Sequence, residues 1–206
     1  MFYCLPLVPS FRLKRYPYTS LSTHLSIQIS SDRYGSGPHR VQATVTSEDG
    51  ITAKFVIQMA LLEEMPHAVN HFLRMVELKL WDGLSLVHGT NSDIISAVPM
   101  EVETNQWVGE RFDDANITRM AFTEYSSTYP PPHQNKYSVS FSGRPGGPAF
   151  YISLEDEIEF HEHESTFGVV VEGRTVLDRF YQKKPAVDKK QGSQTLKIDS
   201  LRLIKD

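Results

Sequence analysis

The sequence predicts a mainly β fold with two helices set against the sheet. Three observations carry this. Short runs of alternating apolar and polar residues recur from residue 41 to residue 204, the period of strands with one buried face. Turn signals separate them, above all Ser47-Glu48-Asp49-Gly50 and Gly143-Arg144-Pro145-Gly146-Gly147-Pro148. Two segments, 66–80 and 173–182, instead place apolar residues at helical offsets.

The elements follow in order. Val41–Thr46 and Ile51–Met59 read as a hairpin closed by Asp49-Gly50. Pro66 suits the first turn of a helix and Glu63-Glu64 suit its positive end, with Val69, Phe72, Leu73, Val76 and Leu80 as the buried stripe. Trp81-Asp82-Gly83 ends it. Leu84–His88 and Ile94–Val98 are strands around a polar turn. Residues 101–132 show no clear period, and Tyr129-Pro130-Pro131-Pro132 reads as a polyproline-like loop. Tyr137, Val139 and Phe141 alternate with serines, and the Gly/Pro loop from Gly143 cannot continue that strand. Ala149–Ile152 and Phe167–Val171 are two more strands. Glu172-Gly173 then turns the chain into a helix with Val176, Leu177, Phe180 and Tyr181 on its apolar face. After the Lys-rich loop Lys183–Lys190, Thr195–Ile204 is the closing strand.

Composition bounds the function. A chain of 206 residues with 40% hydrophobic and 22% charged residues is an ordinary soluble globular protein. Its net charge is −4, and residues 1–31 hold Arg12, Lys14 and Arg15 with no acid, so the body is more acidic than the whole. That argues against a nucleic-acid partner, which needs clustered cations. Cys4 is the single cysteine, which excludes an internal disulfide and a Cys-rich zinc site and favours a reducing, cytoplasmic setting. No apolar run approaches the roughly 20 residues that span a bilayer. No membrane span is expected, and the chain is expected to be a monomer.

Residues 1–37 read as an N-terminal extension to a domain over 38–206. Met1–Val8 is apolar but interrupted by Pro6 and followed by Pro9, a poor signal-peptide core. Residues 1–35, with bases, Ser and Thr, have the composition of an organelle-targeting segment or of a disordered N-terminus. Leu25, Ile27 and Ile29 alternate as an extra edge strand would, and Asp32–Pro38 reads as a linker.

The run Phe167-Gly168-Val169-Val170-Val171-Glu172-Gly173 before an apolar helix resembles the cyclophilin signature, F-G-x-V-V-x-G entering the second helix. Phe150-Tyr151-Ile152 precedes it as the F-F-I segment does in that family. In the first half, Pro66 with Asn70-His71-Phe72 and then Trp81-Asp82-Gly83 resembles P-x-x-x-x-N-F followed by Y-D-G, approximately. The resemblance spans about Val41 to Lys205 and is weakest between Thr90 and Lys136. It implies a closed antiparallel β-barrel capped by two helices, and peptidyl-prolyl cis-trans isomerase chemistry on proline-containing peptide segments.

That chemistry needs no nucleophile and no cofactor. It lowers the roughly 18–20 kcal/mol barrier to rotation about an amide, with an apolar pocket for the proline ring and a fixed arginine donor. The resemblance places His88 where the family's arginine stands. Arginine offers five donors in a rigid fork, and neutral histidine one. The family's pocket aromatic and glutamine fall at Asp93 and Ser96, its asparagine at Ser140, or at Phe141 under a one-residue shift, its histidine before F-G at Glu164, and its tryptophan near Glu159 or Phe160. Tyr151 supplies the aromatic floor, with Ile94 and Phe160 as apolar walls and Phe150 as a further substrate-binding residue. Arg144 on the glycine loop is the substitute cation, ahead of Arg111. The expectation is a weak or inactive isomerase that binds proline-containing segments.

Rival signals are weaker. Phe160-His161-Glu162-His163-Glu164 contains H-x-H, which with His88 or His133 makes a three-histidine zinc site, or else a solvated acidic loop. Leu154–Glu157 lacks the alternation of a calcium loop. Gly143–Gly147 opens no helix, so it is no phosphate loop. Asn116-Ile117-Thr118 is a glycosylation sequon, and no Gly-x-Ser-x-Gly elbow marks a hydrolase. The remaining alternative is a structural module whose pocket is only barrel core.

Overall fold

The computed structural model describes residues 18–89, 92–126, 135–156, 164–182 and 194–204. Eight strands close into an antiparallel barrel: β1 (Arg40–Ser47), β2 (Thr52–Met59), β3 (Leu84–His88), β4 (Ile94–Glu101), β5 (Ser138–Phe141), β6 (Phe150–Ser153), β7 (Thr166–Glu172) and β8 (Gln194–Ile204). Around the barrel they run β1-β2-β7-β5-β6-β4-β3-β8, so closure pairs β8 with β1 and leaves no open edge. The helices are α1 (Tyr18–Tyr34), α2 (Pro66–Glu77), α3 (Glu110–Asp114) and α4 (Arg174–Gln182).

The two amphipathic helices do what their stripes demand. Under α2, Val69, Phe72 and Leu73 are buried on the barrel, and Phe72 packs on Phe167 and Phe150 at ring distances of 4.8 and 5.3 Å. Trp81 extends the cluster, 5.0 Å from Phe150 and 4.9 Å from Phe112. Under α4, Leu177 and Phe180 are buried and Val176 lies partly buried beside them. The first helix is shorter than the stripe suggests. Lys79 takes a left-handed φ of 55°, so Leu80 joins the core from a turn rather than from helix.

Pro66 does open α2, but Glu63 and Glu64 do not cap it. The capping residue Met65 makes no side-chain bond. Glu124 comes from a distant loop instead, its carboxylate accepting from the Ala68 amide at 2.8 Å and the His67 amide at 3.4 Å. Burial holds its carboxyl above the usual range, offset by those two amides. Glu124→Ala should therefore cost about 1 kcal/mol, while Glu124→Gln, which keeps an acceptor oxygen, should cost a few tenths. Urea midpoints of the two variants check this; equal losses would remove the cap from the account.

Residues 25–29 are a correction. Leu25, Ile27 and Ile29 lie in helix α1, not in an edge strand, and the stretch read as a linker from Asp32 is helical through Tyr34. The period-2 pattern was outweighed by docking on α2. Ser26 Oγ meets His67 Nδ1 at 3.2 Å, Arg33 pairs with Glu77 at 2.8 Å, the Tyr34 hydroxyl donates to Glu77 at 2.9 Å, and Ser30 is buried. Gly35 at φ 95° ends the helix. Among the described residues no helix is long and apolar enough to cross a membrane.

Candidate functional site

Strand register decides which side chains share a face. Val87 pairs with Ser96, Ser96 with Tyr151, and Tyr151 with Ser140, and Ser140 Oγ lies 2.8 Å from Thr166 Oγ1. Directly opposed residues of an antiparallel sheet point to the same side. Val87, Ser96, Tyr151, Ser140 and Thr166 therefore form one outward row across five strands. Ile94, two residues before Ser96, belongs to the same face and is paired with Ser153.

The next row faces the barrel interior. His88 pairs with Ile95, Ile95 with Ile152, and Ile152 with Val139, the last three fully buried. His88 is itself 4% exposed. Its ring lies 6.1 Å from Phe180 and 5.4 Å from Tyr181, beneath α4, and its Nε2 bonds to the Ser92 carbonyl oxygen at 2.8 Å. His88 and Tyr151 thus point to opposite sides of the sheet. The expected meeting of His88 with the Tyr151 floor does not occur, because a one-residue offset in a strand reverses the side chain.

Phe150, expected to bind substrate, is likewise core, packed between Phe72 and Trp81 and off the Tyr151 face. Ser96 and Ile94 are partly exposed, but Tyr151 is 1% exposed and Ser140 fully buried. The aromatic expected as an open floor is covered. Glu164, expected in the pocket, is buried and accepts a hydrogen bond from the Gly143 amide, tying the start of β7 to the glycine loop. Arg144 follows on that loop with its side chain exposed. Arg111 is committed elsewhere, donating to the carbonyls of Leu80 and Asp82. Phe160, His161, His163 and His133 lie outside the described residues. Among the described residues no three His, Cys, Asp or Glu side chains are grouped to hold a metal.

Val87 is the residue that spacing missed: it, and not His88, shares the outward row with Ser96. The row it joins contains hydroxyls, one phenol and one aliphatic side chain, and no cation.

A family model for "Cyclophilin type peptidyl-prolyl cis-trans isomerase/CLD" matches residues 44–203. The chain belongs to the cyclophilin family. Solved structures agree with the fold of this cyclophilin. A Cryptosporidium parvum cyclophilin type peptidyl-prolyl cis-trans isomerase is similar with a TM-score of 0.57 at 13% identity, covering 82% of this chain and 98% of that one. The Mimivirus cyclophilin is similar with a TM-score of 0.58 at 19% identity, covering 83% and 92%. The C. parvum protein in the presence of the dipeptide Ala-Pro gives 0.57 at 14% identity, covering 80% and 99%. Among curated protein sequences nothing matches. The barrel of this cyclophilin is thus the family's.

Proposed function

We propose that this cyclophilin recognises proline-containing peptide segments and has weak or no prolyl isomerase activity. One observation carries the reading. The outward row through Val87, Ser96, Tyr151 and Ser140 holds no guanidinium, and the histidine that spacing put in the arginine's place points into the barrel. A twisted amide needs a pre-positioned donor, and losing one such donor costs on the order of 10²–10³ in rate. The 1% exposure of Tyr151 works in the same direction, because a proline ring needs an open aromatic floor.

What remains for recognition is the partly exposed strip around Ile94, Ser96 and Val87. The Ala-Pro dipeptide, present with the similar C. parvum protein, is the natural probe. Titrated into the isotope-labelled full chain, Ala-Pro should shift the amides of Val87, Ile94 and Ser96 saturably, and Ala-Gly should not. Arg144→Ala should bind Ala-Pro as the wild type does. Shifts confined to other residues, or equal response to Ala-Gly, would leave a structural module without proline recognition. Loss of binding in Arg144→Ala alone would show that the glycine-loop arginine has replaced the missing one.

A further inference from the structure

On the flank of α2, away from the outward row, lies a polar cavity of about 220 Å³ between that helix and residues 116–122. His67, His71 and Arg74 line it at helical offsets of four and seven, so one face of the helix presents them together, with Asn70 between. Arg119 faces them from the opposite wall, and Phe122 closes one side. Two guanidiniums and two imidazoles line this cavity, and no carboxylate does. That is unusual in a chain whose net charge is −4.

Two acids close to α2 are committed elsewhere. Glu77 pairs with Arg33 and accepts from the Tyr34 hydroxyl. Glu124 is spent on the α2 amides. Among the described residues neither Arg74 nor Arg119 forms a salt bridge, although Arg74 lies within electrostatic reach of Glu77. His67 uses its Nδ1 on Ser26, while Nε2 of His67 and Nε2 of His71, the latter beside Gly147, are buried with no hydrogen-bond partner among the described residues. Burial, reinforced by the Arg74 charge, lowers the His71 pKa to about 4. An anion in the cavity would offset the Arg74 charge and favour the protonated ring.

Its shape narrows the anion. The volume exceeds what a bare oxyanion fills, and Phe122, stacked edge-on to His67 at 4.9 Å, offers an apolar wall that remains 49% exposed. Guanidinium pairs match phosphate oxygens through parallel hydrogen bonds.

We propose that this cavity binds a phosphomonoester. Arg74 and Arg119 take the phosphate oxygens, Asn70 donates beside them, and the ester's organic part lies against Phe122. The ester can belong to a free small molecule or to a phosphorylated side chain of another protein.

The test is a titration of the isotope-labelled full chain with O-phosphoserine, with a blocked phosphoserine peptide and with inorganic phosphate, read on the His67 and His71 rings. Both esters should shift these rings saturably and move the His71 titration upward from about 4. Arg119 is on the surface, so Arg119→Gln should fold normally and weaken binding about tenfold or more. Tighter binding of the peptide points to a protein source, and tighter binding of O-phosphoserine to a free ligand. An unshifted His71, unchanged affinity in Arg119→Gln, or inorganic phosphate binding as tightly as both esters would overturn the proposal.

Discussion

Gly173→Ala should destabilise the fold by about 3–5 kcal/mol, combining backbone strain with a backbone clash. Gly173 sits at φ 74°, where a side chain crowds the following carbonyl. A Cβ there would also lie 2.3 Å from the Lys54 carbonyl oxygen and 2.7 Å from the Phe55 Cα. Both are backbone atoms of β2, which is paired with β1 on one side and β7 on the other, so neither can retreat. Gly50 supplies the control. It has nearly the same φ, 77°, but nothing within 4 Å of its would-be Cβ. Gly50→Ala should cost only the conformational part, about 1–2 kcal/mol. Urea unfolding of the two variants separates strain from clash. Equal losses would mean that the turn into α4 is held by conformation alone.

That glycine also marks what could be read from the chain. Its place at the end of Phe-Gly-Val-Val-Val-Glu-Gly identified the strand-to-helix turn, because only a residue without Cβ fits where α4 leaves β7 over β2. The alternating strands and the stripes of Phe72 and Leu177 were legible for a similar reason: burial on one face imposes a period that survives in one dimension. Helix α1 was not legible. Leu25 and Ile29 are 61% and 49% exposed, so its apolar residues do not mark its buried side. Polar contacts of Ser26, Arg33 and Tyr34 dock it, and these leave no period. The cap on α2 was hidden too, since Glu124 is 58 residues from Pro66.

The site was harder because spacing and register disagree. Counted from Gly83, His88 falls at the arginine's place. Counted by alternation, Leu84, Leu86 and His88 share a face, and the two leucines belong inside. The second count was available in Leu-Ser-Leu-Val-His itself, and the structure follows it: Leu84 and Leu86 are buried and His88 continues their side. Phe150 follows the same logic against Tyr151. Which residues cover the Tyr151 face could not be read, because it depends on contacts made across the barrel's outside.

If His88 is core, then its removal should change stability and not catalysis. This makes the proposed loss of activity open to a direct assay. A protease-coupled prolyl isomerisation assay on the wild type and on His88→Ala, at a temperature where both are folded, tests it most directly. Wild-type turnover should be about 10²–10³ below that of a family member with its arginine in place. His88→Ala should leave that low rate unchanged while lowering the unfolding midpoint, because it opens a gap beneath Phe180 and Tyr181. Wild-type turnover within about tenfold of an ordinary cyclophilin, lost in folded His88→Ala, would contradict the account.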